Sequence, residues 1–299
     1  MNTEESTVCP LNSAVILDGR KLRDARTGAL KKEFSAFLEK PVLVIIQVGD
    51  LAESDAYIRQ KVKFGELLGV PVIHKKFPDS IDEKVLIEAI RTLNHDTAVK
   101  GVIVQLPIPS RFSTQKIIDE IDQVKDVDGL TLNNKKRFEG GDKQAVVPAT
   151  ARGVLTLLRG YHIPVSGRKV TVIGRSTLVG SPIATLLSRE GASVTTCHRG
   201  TEKIPEKAKG ADVLIVATGN PHLVTKEYVS PEQTVIDVGI NSIEGQKLEE
   251  EIPSRKIVGD VDFEGVKDIV GAISPVPGGV GPMTVLSLFE NLKDACRRS

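Results

Sequence analysis

Short runs of β-branched residues alternate with helical patterns along most of this chain, and this alternation restricts the fold more than any other feature. In the first half the strand-like runs are 42–48, 71–77 and 101–105, with helical patterns at 54–68 and 82–94. A second series has strand-like runs at 169–174, 193–196, 212–217, 234–238 and 256–258, with helices at about 180–190 and 203–209. Continuous apolar strands that alternate with helices indicate parallel sheets covered on both faces. The sequence therefore predicts an α/β protein.

Length and punctuation divide this pattern into two units. A chain of 299 residues favours two domains of roughly 150 residues each. The polar, glycine-containing stretch 140–148 interrupts the pattern before a helix at 150–159. We therefore predict two α/β domains, the second with a Rossmann-type parallel sheet of five strands.

Charge and cysteine usage exclude several classes of function. Forty basic and thirty-nine acidic residues leave a net charge of +1, so no global field gathers nucleic acid or an anionic membrane. Cys9, Cys197 and Cys296 show no metal or redox spacing, and an odd, scattered set indicates a reduced compartment. The acidic N-terminus lacks a signal pattern, and no apolar run approaches a membrane span. We expect a cytoplasmic protein with no metal, membrane or nucleic-acid partner.

A phosphate-binding turn is predicted between the first strand and helix of the second unit. Gly174-Arg175-Ser176 ends the strand, and Gly180 begins the helix, whose N-terminus offers N–H groups and a positive dipole end. The spacing departs from G-x-G-x-x-G, because Ser176 replaces the second glycine and Gly180 comes one residue late. A structural turn is the alternative, but its place in an α/β series favours a cofactor site.

The next strand indicates which dinucleotide binds. NAD sites usually place an acidic residue about 20 residues further on. Here the strand ends in His198 and Arg199, whose donors suit a 2′-phosphate, as does Arg175. NADP is therefore favoured over NAD, unless both residues belong to a solvated loop. Thr218-Gly219 and Ile240 follow two further strands, at the edge where open sheets bind ligands.

Candidate catalytic residues lie in the first unit. Tyr57 and Lys61 share one face of a helix, and Ser54 is predicted to cap that helix. A desolvated lysine can act as a base, although a tyrosine and a lysine at this spacing are by themselves most often an exposed surface pair. Gln105 ends a strand before a Pro-x-Pro stop, and Asp128 lies in an Asp-Gly turn that is either structural or able to pair with a ligand's donors.

A rigid loop is predicted near the C-terminus, followed by a helix. Three prolines and three glycines lie between Pro275 and Thr284, a mixture that neither a helix interior nor a central strand tolerates. The apolar helical pattern Val285–Leu292 comes directly after it. The loop is either a tight connection or backbone laid against a ligand.

These motifs occur in an order that is specific when taken together. They are Tyr57-x-x-x-Lys61, Val104-Gln-Leu-Pro107, Lys125-Asp-Val-Asp-Gly129, Gly174-Arg-Ser176 with Val179-Gly180, Asp237-Val-Gly-Ile-Asn241, Gly259-Asp-Val-Asp262 and Pro275-Val-Pro-Gly-Gly-Val-Gly-Pro-Met-Thr284. The set resembles the bifunctional methylenetetrahydrofolate dehydrogenase/methenyltetrahydrofolate cyclohydrolase (FolD) family, from Asp18 to Asn291.

The resemblance implies an architecture and an activity. It implies a folate-binding catalytic domain of residues 1–147 completed by a C-terminal helix at 285–299, an NADP-binding domain of residues 148–284, an active-site cleft between them, and a homodimer. The implied activity is NADP-dependent oxidation of 5,10-methylene-tetrahydrofolate to 5,10-methenyl-tetrahydrofolate, followed by hydrolysis to 10-formyl-tetrahydrofolate. These are steps of one-carbon metabolism that serve purine biosynthesis.

The resemblance also implies site residues. Carried over by motif, Lys61 is the key cyclohydrolase residue, Gln105 orients it, Tyr57 stacks on the folate and Asp128 grips the pterin. The folate site is expected to include Ser54 and the loop backbone at Pro277, Gly278 and Gly279. The expected cofactor residues are Gly174, Arg175, Ser176, His198, Arg199, Thr218, Gly219 and Ile240.

Four positions depart from the family pattern. Ala149 and Ala151 replace Cys and Pro at the domain linker, and Thr131 and Leu132 replace His and Pro after the Asp-Gly turn. Two other functions remain open: an NADP-dependent dehydrogenase of another small substrate on a similar scaffold, such as a shikimate-type enzyme, and an inactive NADP-binding regulator.

Overall fold

The computed structural model describes residues 14–244 and 255–298, so Cys9 and the first part of the predicted 1–147 domain lie outside the described residues. The strands are β1 (Val15–Ile16), β2 (Val42–Val48), β3 (Val72–Phe77), β4 (Val99–Val104), β5 (Lys169–Ile173), β6 (Ser193–Cys197), β7 (Val213–Val216), β8 (Thr234–Asp237), β9 (Asn241–Glu244), β10 (Arg255–Val258) and β11 (Ala272–Ile273). The helices are α1 (Gly19–Ser35), α2 (Ala52–Leu68), α3 (Glu83–His95), α4 (Thr114–Ile118), α5 (Leu132–Glu139), α6 (Ala149–Gly160), α7 (Gly180–Arg189), α8 (Ile204–Lys209), α9 (Phe263–Val266) and α10 (Val280–Arg298).

Two parallel sheets confirm the predicted α/β class. The first sheet has three strands in the order β3-β2-β4, and the second has six in the order β1-β11-β8-β7-β5-β6. In the second sheet the chain runs from β5 outward to β6 and then crosses to β7 on the other side of β5. Open α/β sheets bind ligands at such a reversal of strand order, beyond the carboxyl ends of the strands.

The second sheet differs from the five-strand series that the sequence predicts. The run at 256–258 belongs to β10, which pairs antiparallel with β9 in a separate hairpin. The fifth strand is instead β11, and the sixth is β1 from the N-terminal part of the chain. Both are only two residues long, so they carry no periodicity, and pairing partners rather than local pattern decide which strands join the sheet.

The C-terminal helix begins earlier than predicted. Helix α10 starts at Val280, inside the Pro/Gly segment, and not at residue 285. Pro282 lies in its first turn, where a missing N–H breaks no hydrogen bond of the helix. The rigid loop is therefore shorter than the sequence indicates and ends at Gly279.

Helix α10 joins the two sheets through a shared apolar core. The Phe289 ring lies 5.4 Å from that of Phe64 on α2 and 6.5 Å from that of Phe34 on α1. On its other side α10 approaches α6 so closely that a Cβ on Gly153 would lie 3.0 Å from the Met283 carbonyl carbon. Helix α10 therefore packs between helices α1 and α2 of the first unit and helix α6 of the second.

The start of α1 packs directly on the Pro/Gly loop, and this contact predicts a severe effect for Gly19→Ala. An ideal Cβ on Gly19 would lie 1.9 Å from the Gly279 carbonyl oxygen, and the Gly19 and Arg20 amides both donate to Gly278 O. We expect Gly19→Ala to destabilise the fold by about 1–3 kcal/mol, because backbone must move. Gly28→Ala in the same helix meets open space and is expected to stabilise by about 0.5–1 kcal/mol. Thermal midpoints that move in the same direction for both variants would contradict this account.

No helix among residues 14–244 and 255–298 combines the length and apolar character that a membrane crossing requires.

Candidate active site

A cavity of about 350 Å³ opens where the carboxyl ends of the two sheets face each other. Its wall comes from α2, the end of β4, the turn before α7, the segment after β8, strands β9 and β10, the first turn of α6 and the first two turns of α10. Its lining includes Ser54, Tyr57, Lys61, Gln105, Ile240 and Asn241. An adjoining cavity of about 240 Å³ shares Tyr57 and Ile240 with it and includes Pro277 and Gly278. The predicted cleft is therefore present.

Lys61 is the buried base candidate of this cavity. Its side chain is 7% exposed, and Nζ donates to Gln105 Oε1 at 2.9 Å. Gln105 Nε2 in turn donates to the Leu106 carbonyl at 2.9 Å, which turns the amide oxygen toward the lysine. Burial lowers the pKa of Lys61, and the nearby Asp128 carboxylate partly restores it. A lysine with a lowered pKa is available as a neutral amine nearer physiological pH.

The Asp-Gly turn contains two carboxylates with different roles. Asp126 accepts the backbone amides of Gly129, Leu130 and Thr131 and so holds the turn together. The Asp128 carboxylate accepts no hydrogen bond from any residue in the described part of the chain; only its backbone carbonyl does, from the Ala149 amide. Burial raises the pKa of Asp128 to about 6, against the opposing effect of Lys61. Asp128 is thus charged near neutral pH and has capacity for a ligand's donors, although it does not line the cavity itself.

Tyr57 lies one turn before Lys61 on α2 and lines both cavities. Burial raises the pKa of Tyr57 to about 12, so its hydroxyl stays protonated and the ring offers a neutral aromatic surface. The prediction that Ser54 caps this helix is wrong. Helix α2 begins at Ala52, with Leu51 in the cap position. The residue type of Ser54 suits a cap, but residue type alone does not determine at which position the helix starts. Ser54 is buried in the first turn and lines the larger cavity.

The turn between β5 and α7 requires glycine at both predicted positions. Gly174 has φ +115, and a Cβ there would lie 2.0 Å from the Ala217 carbonyl oxygen. A Cβ on Gly180 would lie 2.1 Å from the Gly174 carbonyl oxygen. Ser176 Oγ accepts the Val179 amide at 3.2 Å, while the Arg175 side chain is exposed. Packing within the protein therefore requires both glycines, and the resulting tight turn places the N-terminus of α7 at the carboxyl end of β5, where a helix N-terminus is suited to bind a phosphate group.

The two arginines expected at a 2′-phosphate follow neighbouring strands. Arg175 comes after β5 and Arg199 after β6, and the Gly174 amide donates to Cys197 O between them. Both arginines are exposed. His198 Nδ1 accepts the Gly200 amide at 3.0 Å, so only Nε2 of this ring is left to donate to a ligand.

Further along the same edge, Thr218 and Gly219 follow β7, and Ile240 follows β8. Asp260, which is fully buried, accepts both backbone amides of the Thr218–Gly219 turn. Ile240 is 46% exposed and projects its surface into both cavities. The edge from β6 through β5 and β7 to β8 thus presents the predicted cofactor residues in spatial order.

The Pro/Gly loop meets the cavities less evenly than expected. Pro277 and Gly278 line the smaller cavity, which Tyr57 joins to the one that contains Lys61. Gly279 lines neither cavity, because it is buried under Gly19 and donates to Pro275 O. Its expected contact with folate is therefore not supported, and the requirement for glycine at 279 comes from packing.

The four departures from the family pattern have local structural explanations in part. Thr131 caps α5 by accepting the Asn134 amide, and its own amide donates to Asp126. Ala149 and Ala151 are buried in the first turn of α6. Nothing in the structure explains Leu132, which is exposed.

Several residues in and behind the cavity received no role from the sequence, although Asp237, Asn241, Asp260 and Thr284 belong to its motifs. Thr150, Asn241 and Thr284 line the cavity, and the buried pair Asp237 and Asp260 supports it from behind the sheet edge. The available signal was position: Asp237 ends one strand, and Asp260 follows another after a glycine.

Comparison with known proteins agrees with this geometry. The tetrahydrofolate dehydrogenase/cyclohydrolase catalytic domain matches residues 17–128, and the NAD(P)-binding domain of the same family matches residues 148–299. The bifunctional protein FolD of Mycoplasma mobile is 45% identical over 93% of this chain and 95% of its own length.

Solved structures give the same result. The bifunctional enzyme FolD of Campylobacter jejuni superposes with a TM-score of 0.87 at 36% identity and covers 96% of this chain and 100% of its own. The FolD of Trypanosoma brucei, solved with NADP cofactor and inhibitor, has a TM-score of 0.89 at 31% identity over 96% of this chain and 98% of its own. Shikimate 5-dehydrogenase of Thermus thermophilus has a TM-score of 0.52 at 15% identity over 86% of this chain and 99% of its own, a likeness of fold alone. Two family models that together match most of the chain, with a relative of 45% identity, place this protein in the tetrahydrofolate dehydrogenase/cyclohydrolase family.

Proposed function

We propose that this chain oxidises 5,10-methylene-tetrahydrofolate with NADP and hydrolyses the resulting 5,10-methenyl-tetrahydrofolate to 10-formyl-tetrahydrofolate. The observation that carries the proposal is the buried Lys61–Gln105 hydrogen bond in a cavity whose opposite wall comes from the dinucleotide-binding sheet. One site for a base and one for a cofactor thus open onto the same space, as two successive reactions on one substrate require.

The residues of the second sheet fit NADP. The glycines at 174 and 180 allow backbone to approach a pyrophosphate, and two exposed arginines after neighbouring strands suit a 2′-phosphate. NADP held by these residues would supply the hydride acceptor for the methylene carbon of the folate. The protein's part in this step is orientation, because the flanking nitrogens of the substrate stabilise the methenyl cation without a base.

Hydrolysis of the methenyl cation requires a base. Water adds to the methenyl carbon and loses one proton to the neutral Lys61 amine. The hydroxyl of this adduct then gives up its proton as the carbon–N5 bond breaks, N5 takes up a proton, and the formyl group is left on N10. Gln105 holds Nζ in place through its amide oxygen. We assign to Asp128 the amino and ring N–H donors of the pterin, and to Tyr57 the stacking face for the rest of the folate.

The pH dependence of hydrolysis is expected to shift in Asp128→Asn. Lys61 accepts a proton only when neutral, so the rate rises with pH until the lysine is deprotonated. The Asp128 carboxylate raises the pKa of Lys61, and its loss lowers that pKa further. The rising limb of kcat should therefore move to lower pH, measured at saturating methenyl-tetrahydrofolate after subtraction of the uncatalysed reaction. An unchanged limb, or one at higher pH, would exclude Lys61 as the titrating base.

The test of the proposal follows reduced cofactor and methenyl intermediate together, by absorbance at two wavelengths, with methylene-tetrahydrofolate and either NADP or NAD. Reduced cofactor with transient methenyl intermediate is the expected result. Accumulation of the intermediate would remove the cyclohydrolase assignment, and absence of reduced cofactor would remove the dehydrogenase assignment. A shikimate-type enzyme leaves Tyr57, Gln105 and the Pro/Gly loop without a role, and an inactive regulator leaves the retained Lys61 and Asp128 without one.

Three further expectations stay predictions. We propose a homodimer, testable by light scattering, and a location in the cytoplasm. We also propose that residues 1–147 with the C-terminal helix bind folate and that residues 148–284 bind NADP, although β1 crosses this division by pairing with β11.

A further inference from the structure

We propose that Asp260 is a positioning residue for the hydride-transfer step, because its carboxylate joins the Thr218–Gly219 turn, which follows β7, to Asn241, which follows β8 and lines the larger cavity. This proposal rests on the proposed function. It concerns a fully buried charge that the two reactions do not use directly.

The first contact of Asp260 is with the turn that follows β7. Oδ2 accepts the Thr218 amide at 2.5 Å, the Gly219 amide at 2.9 Å and the Thr218 hydroxyl at 3.0 Å. Gly219 has φ +69, so this is a tight turn whose amides point inward at the carboxylate. The turn lies beside the reversal of strand order, since the Ala217 carbonyl touches the Cβ position of Gly174.

The second contact is with the segment that follows β8. Oδ1 accepts the Asn241 side-chain amide at 2.8 Å, and Asn241 lines the larger cavity. The carboxylate also fills the space next to Gly239, where a Cβ would lie 2.2 Å from Asp260 Cγ. Asp260 is thus packed against the Val238–Ile240 segment, which borders both cavities.

A second carboxylate fixes Asp260 in turn. Asp237 Oδ1 accepts the Asp260 amide at 3.0 Å and the Gly239 amide at 2.9 Å, and Oδ2 accepts the Val261 amide at 2.9 Å. Gly259 must be glycine here, because a Cβ would lie 1.8 Å from Asp237 Oδ2. The arrangement holds the ends of β7, β8 and β10 to one another through two buried carboxyl groups.

Buried charge is an expensive way to join loops, so its position is informative. A carboxylate without a cationic partner is tolerated in an interior only when several donors meet it, and each hydrogen bond to a charge is stronger than a neutral one. All the groups that donate to the Asp260 carboxylate belong to segments that line the larger cavity or lie beside the turn between β5 and α7. Hydride transfer depends steeply on geometry, and a shift of about 1 Å costs on the order of 100-fold in rate. By holding the Thr218–Gly219 turn and Asn241 in fixed positions, Asp260 is expected to keep the geometry that hydride transfer requires.

The experiment compares Asp260→Asn with Asp262→Asn in the full-length protein. The amide places a donor where the carboxylate accepts, so we expect kcat/KM for NADP in methylene-tetrahydrofolate oxidation to fall by at least ~10-fold. Hydrolysis of supplied methenyl-tetrahydrofolate depends on Lys61 and Gln105 and should stay within about 2-fold of the wild type, which also reports that the variant is folded. Asp262, two residues on, caps α9 and touches neither cavity, so both activities should persist in its variant.

A second variant covers poor folding of the first. Asn241→Leu removes the donor to Oδ1 and also replaces a polar residue of the cavity wall, and it should lower oxidation more than hydrolysis, by less than Asp260→Asn lowers oxidation. The proposal is overturned by wild-type oxidation in Asp260→Asn, or by equal loss of both activities, which would make Asp260 a general support of the fold. Absence of both activities from the wild type would instead overturn the proposed function.

Discussion

Lys61→Met is expected to lower methenyl-tetrahydrofolate hydrolysis by about 10²–10⁴-fold, the usual contribution of a positioned general base. Methionine keeps the apolar stem in its buried place on α2 and removes only the amine that Gln105 holds. Oxidation of methylene-tetrahydrofolate needs no base from the protein, so NADP reduction should continue and methenyl product should accumulate. The measurement supplies methenyl-tetrahydrofolate directly and follows its disappearance.

Lys63→Met is the matched control for this prediction. Lys63 lies two residues further along the same helix, is exposed, and lines neither cavity. We expect its variant to retain both activities. Full hydrolysis in Lys61→Met would refute the role of the buried lysine, and loss of hydrolysis in both variants would trace the effect to the helix rather than to the amine.

Arg175→Ala and Arg199→Ala are each expected to weaken NADP by about 10–100-fold in KM while changing NAD by much less. A hydrogen bond to a charged group contributes about 1.5–3 kcal/mol, and only NADP carries the 2′-phosphate that the guanidinium would meet. The two side chains are exposed after neighbouring strands, so either can reach a group at that corner. Initial rates at varied NADP and NAD provide the ratio.

Arg168→Ala serves as the control for both arginine variants. Arg168 precedes β5, at the opposite edge of the sheet from the dinucleotide turn, and lies 3.9 Å from Asp212 in an exposed ion pair. Its loss should affect neither cofactor. Equal losses for NADP and NAD in Arg175→Ala and Arg199→Ala would mean that these side chains contact what the cofactors share and do not select the phosphate.

Secondary structure was predictable where a run was long enough to show a period. Strand β2 matches its predicted bounds, and α3 differs from prediction by one residue at each end. Helix α1 was not predicted, because only three of its seventeen residues are buried and its apolar stripe is therefore too weak to recognise in the sequence. Strands β1 and β11 were not predicted, because a strand of two residues shows no alternation of apolar and polar residues. Their pairing partners lie in distant parts of the chain.

The residue types and their order are evident from the sequence alone: a lysine four residues after a tyrosine, a glutamine at a predicted strand end, and glycines around a predicted turn. These restrict the chemistry, because side-chain type and local spacing are properties of short segments. Tertiary structure alone decided that Lys61 is buried against Gln105, that Asp128 lies near enough to perturb its pKa, and that Asp260 joins two loops. Lys61 and Gln105 are 44 residues apart in the chain, and Asp260 is 19 to 42 residues from the groups that it joins. Burial, pKa shifts and such contacts depend on which distant segments meet in the fold, and no local sequence pattern encodes this.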